Sequence, residues 1–461
     1  MTELSNAPHR RNSSLPRTGS RIAAAAFVAM LVAGSPASAW AQIQRADLVC
    51  GEAASDRGIQ DADLPDISAP SALVVTDDGQ VLYARSASEQ REIASITKIM
   101  TAIVALENAP LDTVVTVDEA AATVGESSAG LREGETLTLE DALRGLMVPS
   151  GNDAAMAIAS TLGPLLDPST ADPLATFVDA MNAKAAELGM ADTLFTNPHG
   201  LDFDDWEGDL HSTASDVALM VAYAMRNDTF RSIVGSGATS IQVTSADGTP
   251  RTVELREANL LLGVEGNIGV KTGTTEDAGA CFAGAFDRDG NEIYTVVLGD
   301  PMTSGAESWA DDTRFVDTMT LADWYYDHTE NVPAVTSSRT TLAGEQLVAR
   351  ATHTDWSDKS VDVVAADPAA TASLFTLGDE AQMTCDLASF SGDVHVGDPA
   401  GTLTITQDGQ TVAEVELVSA EDVAAPNPVE WVLVQLDRLV RTLTGEPTAA
   451  PEEVFATAPE V

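Results

Sequence analysis

Apolar residues recur along this chain with two different spacings, which predict helices in some segments and strands in others. A spacing of three to four residues predicts amphipathic helices at 95–109, 139–147, 153–162, 177–188, 213–226 and 309–326. Short apolar runs bounded by turn residues predict a hairpin at 71–85 and strands at 267–271, 281–286 and 293–298. The chain up to about residue 330 is therefore predicted to be one unit of mixed helices and strands.

From residue 331 the pattern changes to short strands and turns, which predicts a small β domain over 331–425. Its clearest part is a hairpin in which alternating Leu403 and Ile405 face Ala413, Val415 and Leu417 across a turn at 408–409. An amphipathic helix is predicted at 426–444, with one apolar stripe formed by Val432, Leu436, Leu439 and Leu443. The acidic, Pro- and Ala-rich tail 445–461 is predicted to be disordered.

The N-terminus has the pattern of a signal peptide. Four arginines precede the apolar run 22–34, and small residues at 37–41 offer A-x-A cleavage sites. The 13 apolar residues of this run are too few to span a bilayer. Residues 1–41 are thus predicted to be removed on export to the periplasm or the outer face of the cytoplasmic membrane, and 42–65 to be a polar linker.

The composition excludes several classes of function. With 24 basic and 71 acidic residues among 461, the formal net charge is −47. Such a chain cannot neutralise phosphates in bulk, so nucleic acid is not expected as a partner. The three cysteines and six histidines show no spacing typical of metal or redox sites, so neither a metal nor another cofactor is expected.

Lysine is scarce, and two of the four lysines lie in short motifs. Lys98 ends the motif Ser95-Ile96-Thr97-Lys98, and Lys271 begins Lys271-Thr272-Gly273. Arginine stays protonated in proteins, whereas a buried lysine can become a neutral base. Ser95 lies three residues before Lys98 at a predicted helix N-terminus, where both side chains share one face. We therefore predict Ser95 as a nucleophile and Lys98 as its base, and Lys184 and Lys359 as surface residues.

Two further motifs each have a simple structural interpretation as well. Ser150-Gly151-Asn152 falls in a tight turn before a helix, where Ser150 by itself would be read as a helix N-cap. Lys271-Thr272-Gly273-Thr274-Thr275 ends a predicted strand and could be a polar strand edge. The order of the three motifs, however, is that of penicillin-binding proteins and class A β-lactamases.

The wider context resembles the low-molecular-mass D-alanyl-D-alanine carboxypeptidases, the S11 serine peptidases. The resemblance covers about 66–330 and is carried by the segments 94–102, 150–154, 197–201, 211–214, 270–275 and 278–281. It implies an α+β, β-lactamase/transpeptidase-like catalytic domain over 66–330, with a helical subdomain on an antiparallel sheet, followed by the small all-β domain. It also implies a role in peptidoglycan biosynthesis, cell-wall biogenesis and cell shape.

The resemblance implies a role for each motif residue. Ser95 would form an acyl-enzyme with stem pentapeptides and release the terminal D-alanine, Lys98 would accept the serine proton, and Ser150 would pass a proton to the leaving amine. The expected binding groups are Asn152 for the substrate amide, Lys271 and Thr272 for the terminal carboxylate, Gly273 for space beside the strand, and the N–H groups of Ser95 and Thr274 for the oxyanion. β-Lactams are expected to acylate Ser95 as covalent inhibitors.

Several alternatives remain open from the sequence. A D,D-endopeptidase would use the same pocket, whereas a β-lactamase needs a second carboxylate for which we find no convincing candidate. A non-catalytic penicillin-sensing or wall-binding protein has no reason to keep a nucleophile with its base. The stripe within 429–443 either contacts a membrane surface or packs on the β domain. His199 and His211 are predicted to have turn and packing roles, and Cys281 to pack as a small hydrophobe.

Overall fold

Within residues 47–461, which the computed structural model describes, the first part of the chain is built on a seven-stranded sheet. The predicted signal peptide, 1–41, lies outside the described residues. The strands up to residue 300 are β1 (Leu48–Val49), β2 (Glu52–Ala53), β3 (Ser71–Thr76), β4 (Val81–Arg85), β5 (Val114–Thr116), β6 (Thr136–Thr138), β7 (Thr239–Thr244), β8 (Pro250–Leu255), β9 (Asn267–Thr275), β10 (Gly279–Arg288) and β11 (Asn291–Asp300). The sheet has the antiparallel order β2-β1-β4-β3-β11-β10-β9, whereas β5-β6-β7-β8 form a separate sheet.

Helices cover both faces of the larger sheet. They are α1 (Lys98–Asn108), α2 (Glu119–Thr123), α3 (Leu139–Met147), α4 (Asn152–Leu166), α5 (Pro173–Glu187), α6 (Ala214–Met225), α7 (Asp228–Val234) and α8 (Thr313–Asp327). Successive strand residues point to opposite faces. Leu73 and Val75 accordingly join the core under the main group of helices, whereas Ala72 and Val74 join a second core with α8. The continuous apolar run in β3 follows from this burial on both faces.

The second part of the chain forms its own sheets and its own hydrophobic core. Its strands are β12 (Thr329–Pro333), β13 (Thr336–Ser337), β14 (Ala349–Thr352), β15 (Ser360–Ala365), β16 (Thr371–Phe375), β17 (Gln382–Leu387), β18 (Pro399–Gln407), β19 (Gln410–Ser419), β20 (Glu453–Val454) and β21 (Ala456–Thr457). The main sheet runs β17-β18-β19-β15-β14-β20. Leu403 pairs with Val415 and Ile405 with Ala413, so the predicted hairpin is confirmed. The fold class predicted from the sequence, α+β with an all-β second part, is likewise confirmed.

A final helix, α9 (Pro428–Thr444), carries the predicted amphipathic stripe. The Asn427 side chain accepts hydrogen bonds from the N–H groups of Val429 and Glu430, and the Glu430 side chain accepts from the Asn427 N–H in return. Gly445 ends the helix in the left-handed conformation, with φ 77°. Residues next to α9 in the sequence therefore cap both of its ends.

The segment 42–65 was predicted to be a linker, but its described residues include two strands of the large sheet. β1 and β2 form a hairpin that extends the large sheet through β4. The buried Asp47 carboxylate accepts a hydrogen bond from Tyr83 Oη at 2.9 Å and pairs with Arg85 at 2.8 Å. A polar sequence is compatible with a sheet edge when its few apolar residues, such as Val49, are buried and its charges are paired.

The tail predicted to be disordered, 445–461, contains two short strands. β20 pairs with β14 and β21 pairs with β13, so the tail completes the edges of two sheets. The Phe455 ring lies under the guanidinium of Arg339 at 3.9 Å, a cation–π contact. The prediction of disorder rested on the acidic residues and prolines of the tail. It did not consider that the apolar residues Val454-Phe455-Ala456 could pair with exposed strand edges.

Candidate active site

Ser95 lies in a short 3-10 turn, Ala94–Thr97, that leads directly into α1. The segment 197–201 supports this turn from below. Asn197 Oδ1 accepts hydrogen bonds from the N–H groups of His199 and Gly200, at 3.2 and 2.7 Å. Gly200 has φ +89°, and a Cβ there would lie 1.9 Å from the Ala94 carbonyl oxygen. Only glycine therefore lets the supporting segment approach the turn that carries Ser95.

Lys98, on the first turn of α1, is fully buried beside the serine. Its Nζ lies 2.7 Å from Ser95 Oγ, 2.7 Å from Asn152 Oδ1 and 2.8 Å from the His199 carbonyl oxygen. Burial lowers the pKa of the Lys98 amine well below its usual value, and the charge of Lys271 lowers it further, while Asp153 opposes the shift. A neutral amine fits these contacts, because it can donate to the two carbonyl-type oxygens and accept the Ser95 proton.

Ser150 faces the same space from the turn before α4. Its backbone is left-handed, with φ 64°, a conformation that is uncommon for serine. The residue that caps α4 is Gly151, without a side-chain cap, so the N-cap interpretation of Ser150 does not describe this turn. Instead, Ser150 Oγ accepts a hydrogen bond from Lys271 Nζ at 2.9 Å. The turn directs the hydroxyl toward the second motif lysine.

Lys271, on β9, is 1% exposed and also donates to the Thr272 carbonyl oxygen at 2.8 Å. Burial lowers its pKa to about 7, with Glu257 opposing the shift and Arg314 adding to it. The sequence predicted a charged anchor, and burial of Lys271 works against that charge. A bound carboxylate would stabilise the ammonium form and so raise this pKa.

Gly273 packs closely against the turn that carries Ser95. A Cβ at this position would lie 2.7 Å from the Ile93 carbonyl oxygen and 3.3 Å from the Ser95 nitrogen. Glycine at this position therefore lets β9 pack against the turn that carries Ser95, in addition to the space for the substrate that the sequence predicts. The next residue, Thr274, is exposed and lines the cleft beside Ser95.

Sequence reasoning missed Arg314, which lies behind the strand. Its Nη1 donates to the Gly273 carbonyl oxygen at 2.9 Å and to Thr274 Oγ1 at 2.7 Å. Its Nε and Nη2 bind the Asp312 carboxylate at 2.9 and 3.0 Å. No local motif marks Arg314, since it is one arginine near the start of α8 that only the fold brings to β9.

The other residues considered in the sequence analysis make packing contacts, hydrogen bonds or ion pairs. His199 is buried and packs edge-on against Trp206, with ring centroids 4.4 Å apart, and His211 Nδ1 lies 2.8 Å from the Asp209 carbonyl oxygen. Cys281 is buried in the core. Lys184 pairs with two glutamates, and the exposed Lys359 lies over a tryptophan ring. Neither of these two lysines lines the cleft that contains Ser95.

That cleft has a volume of about 630 Å³. Among the described residues it is lined by Ser95, Glu126, Ser127, Asn152, Leu201, Asp202, Phe203, Asp204, Thr274, Thr275, Glu276, Asp277 and Met302. Ser95 lines this groove together with Asn152 and Thr274, and the buried amine of Lys98 lies directly beside Ser95. This arrangement suits attack on a carbonyl group by an activated serine, with the carbonyl oxygen held by backbone N–H groups.

Comparison with known proteins agrees with this geometry. The family model for D-alanyl-D-alanine carboxypeptidase matches residues 59–302. The D-alanyl-D-alanine carboxypeptidase of Streptomyces sp. strain K15 is 34% identical over 238 residues, 50% of this chain and 80% of that protein. The carboxypeptidase DacF of Bacillus subtilis is 26% identical over 380 residues, 80% of this chain and 89% of that protein.

A solved structure shows the same relationship. The crystal structure of the Streptomyces K15 DD-transpeptidase superposes with a TM-score of 0.52 and 32% identity, covering 57% of this chain and 98% of that one. The sequence motifs, the contacts of Ser95 with Lys98 and of Ser150 with Lys271, and the match to the family model therefore lead to one conclusion. The chain belongs to the D-alanyl-D-alanine carboxypeptidase family, the S11 peptidases.

Proposed function

We propose that this protein is a serine D,D-carboxypeptidase that removes the terminal D-alanine from peptidoglycan stem pentapeptides and is acylated by penicillins. The observation that carries the proposal is the distance of 2.7 Å between Ser95 Oγ and the amine of the buried Lys98. A serine hydroxyl is a weak nucleophile unless an adjacent base accepts its proton. A lysine whose pKa is lowered by burial supplies that base.

In the acylation step, Ser95 Oγ attacks the carbonyl carbon of the penultimate D-alanine while its proton moves to Lys98 Nζ. We assign the oxyanion to the N–H groups of Ser95 and Thr274. Asn152 keeps Lys98 in place by accepting its hydrogen bond at 2.7 Å, and its own amide donates to the Gly125 carbonyl oxygen at 3.0 Å. The Asn152 amide is thus held on both sides while it contacts the substrate backbone.

When the terminal D-alanine leaves, its amine nitrogen must gain a proton. We assign this transfer to Ser150 as a relay: its hydroxyl, whose oxygen accepts a hydrogen bond from Lys271, gives its proton to the amine and takes up in its place the proton that Lys98 received from Ser95, so that Lys98 is neutral again. Lys271 and Thr272 bind the terminal carboxylate, and Arg314 adds positive charge from behind Thr274. Water then attacks the acyl-enzyme with Lys98 again as base, releasing the shortened peptide.

Asp153, the acidic residue nearest in sequence to Asn152, is not available to activate a deacylating water, as the second carboxylate of a β-lactamase would. Asp153 is buried, and its two oxygens accept hydrogen bonds from Ser128 Oγ and from the N–H groups of Ala129 and Leu131, at 2.6 to 3.0 Å. A carboxylate occupied in this way is a poor base for a deacylating water. We therefore propose that penicilloyl-Ser95 hydrolyses slowly.

The function is tested by incubating purified residues 42–461 with a stem pentapeptide and, separately, with a cross-linked stem dimer. We expect one D-alanine per pentapeptide, released at least about tenfold faster than the dimer is cleaved, because the match to DacF extends over the C-terminal part of the chain as well. Faster cleavage of the dimer would support an endopeptidase instead. Penicillin labelling without release from either substrate would support a penicillin sensor.

We further propose that the protein acts outside the cytoplasm and contacts the membrane surface through α9. None of the helices within residues 47–461 is long and apolar enough to cross a membrane. The stripe on α9 does not pack on the β domain, since its large apolar side chains are 50–79% exposed: Val429, Trp431, Val432, Leu433, Leu436, Leu439, Val440 and Leu443. Instead the helix contacts the rest of the protein through its opposite face, where Val434 is buried and Arg438 donates to the Thr354 and Trp356 carbonyl oxygens.

An exposed apolar stripe on an amphipathic helix fits the interfacial region of a bilayer. The charges on α9 are balanced, so apolar burial would drive the contact, and neutral lipid should suffice. We expect wild-type protein to co-sediment with phosphatidylcholine vesicles, and Leu436→Ser/Leu439→Ser to lose about tenfold in partitioning.

The matched control for this experiment is Leu342→Ser, which removes an exposed leucine from a different surface and should bind as wild type does. Equal co-sedimentation of all three proteins would contradict the membrane contact. The substituted side chains on α9 are solvent-exposed, so the variants should keep the fold.

A further inference from the structure

Two carboxyl groups meet in the interior where α8 packs on the large sheet. Asp300, at the end of β11, and Asp317, on α8, are 1% and 3% exposed. Asp317 Oδ2 accepts hydrogen bonds from the N–H groups of Ser68 and Ala69, at 2.5 and 2.7 Å. Both carboxyl groups are therefore closed off from solvent and face each other.

One shared proton accounts for this contact. Ionised carboxylates only accept hydrogen bonds, and both oxygens of Asp300 would then lack a partner within residues 47–461. A protonated Asp300 can instead donate to Asp317. Two buried carboxyl groups in contact do not readily ionise together, because each charge opposes the other. The pair should therefore carry one negative charge, on Asp317, where the two backbone donors stabilise it.

The surroundings of the pair favour retention of this proton. Burial raises the pKa of the Asp300 carboxyl, the charge of Asp317 and the hydrogen bond to it raise it further, to about 8, and Arg314 lowers it. The other titratable or charged groups that face the pair are Asp312 before α8, Cys281 on β10, Arg85 on β4 and Arg91 in the segment before Ser95. The last two arginines are paired with carboxylates of their own, and burial raises the pKa of the Cys281 thiol to about 12. None of these groups replaces the proton.

The pair lies beside the arginine that supports the active-site strand. Arg314 precedes Asp317 by three residues on α8, so the two side chains share a helix face. Its Nη1 donates to the Gly273 carbonyl oxygen and to Thr274 Oγ1, at 2.9 and 2.7 Å. A second negative charge at Asp300 would compete for this guanidinium, because hydrogen bonds to a carboxylate are stronger than those to a neutral oxygen. Ionisation of Asp300 would therefore weaken the support of this strand.

We propose that Asp300 is a positioning residue: its protonated carboxyl, hydrogen-bonded to Asp317, keeps Arg314 directed at β9, and loss of the proton at alkaline pH loosens the end of β9 beside Ser95. The inference goes beyond the carboxypeptidase function proposed above, and only its activity measurement rests on that function. It gives the fold an alkaline limit of its own. The folded state holds a proton that the unfolded chain releases at the ordinary pKa of an aspartate, so the stability that this proton provides is lost as the pH rises to about 8.

The variant that tests this role is Asp300→Asn, whose amide keeps a hydrogen-bond donor for Asp317 and does not titrate. Release of D-alanine from a stem pentapeptide is measured for this variant and the wild type between about pH 6 and about pH 9.5. We expect kcat/KM to agree within about twofold at the acidic end, and the variant to be about fivefold or more faster than the wild type at the alkaline end. The titrations of Lys98 and Lys271 are common to both proteins and cancel in this ratio.

Thermal unfolding over the same pH range provides a measurement that does not depend on catalysis. We expect the Tm of the wild type to fall by about 5 °C more than that of Asp300→Asn as the pH rises. Asp289→Asn is the matched control, because it makes the same substitution at an exposed carboxylate in the turn of the same hairpin, with φ 57°, which asparagine accepts. It should follow the wild type in both measurements.

The outcomes separate the parts of the inference. Parallel Tm curves, or an Asp300→Asn protein that is less stable than the wild type at the acidic end, would overturn the shared proton. A Tm difference that grows with pH while the activity ratio stays constant would overturn the positioning role. Release of D-alanine by none of the proteins would overturn the carboxypeptidase function, and the Tm comparison would still decide whether Asp300 holds the proton.

Discussion

Replacing Ser95 by alanine is expected to lower D-alanine release about 10⁴-fold or more and to abolish covalent labelling by penicillin. Removal of a catalytic serine leaves only the rate enhancement from binding and oxyanion contacts. The fold should persist, because Ser95 lies at the surface of the cleft and its hydroxyl is only one of three contacts of Lys98. The measurement is kcat on a stem pentapeptide, together with fluorescent penicillin on a denaturing gel.

Ser160→Ala serves as the control for this variant. Ser160 also lies in a helix of the catalytic part, where its hydroxyl donates to the Met156 carbonyl oxygen at 2.9 Å and contacts no motif residue. It should retain wild-type rate and labelling. Release of D-alanine by Ser95→Ala within tenfold of the wild type would show that Ser95 is not the nucleophile.

Lys98→Arg is expected to lower kcat about 10³-fold even though it keeps a positively charged side chain. A guanidinium cannot be deprotonated in a protein, so it cannot accept the Ser95 proton. General-base removal typically costs 10²- to 10⁴-fold. The measurement is kcat on the pentapeptide and the rate of penicillin acylation, and both should fall together because each needs the same proton transfer.

Two further variants distinguish the loss of Lys98 as a base from a disturbance of packing. Lys184→Arg makes the same substitution at a lysine whose pKa is raised by two glutamate partners, and it should leave kcat unchanged. Lys98→Ala leaves a cavity, and added methylamine should restore part of the activity with an optimum set by the amine's pKa. An active Lys98→Arg enzyme, or the absence of rescue in a folded Lys98→Ala enzyme, would count against Lys98 as the base.

The sequence predicted the parts of the fold that have strong periodic signals. The helix 139–147 was predicted with the bounds that α3 has, and the register of β18 with β19 followed from alternation. The hairpin of β7 and β8 was missed, although Ile241 and Val243 alternate with polar residues before a turn at 247–248. The tail strands were missed because each is two residues long and gains its stability from a partner edge 100 or more residues away.

In the candidate site, too, the residues in short motifs were predicted and a residue outside them was not. Ser95, Lys98, Ser150 and Lys271 belong to short motifs whose spacing carries chemical meaning, and the structure brings them together as two hydrogen-bonded pairs, Ser95 with Lys98 and Ser150 with Lys271. Arg314 has no motif, and its position depends on how α8 packs on the sheet. The packing of Gly273 against the Ile93 carbonyl could not be predicted either, because Ile93 comes from a distant part of the chain. Contacts between residues far apart in the chain cannot be predicted from short motifs.

A covalent acyl-enzyme on Ser95 can be detected by intact-protein mass spectrometry after incubation with penicillin. We expect wild-type residues 42–461 to gain the mass of one penicillin, peptide mapping to locate the adduct on Ser95, and Ser95→Ala to gain nothing. An adduct on another residue, or an equal mass gain in Ser95→Ala, would show that Ser95 is not the nucleophile.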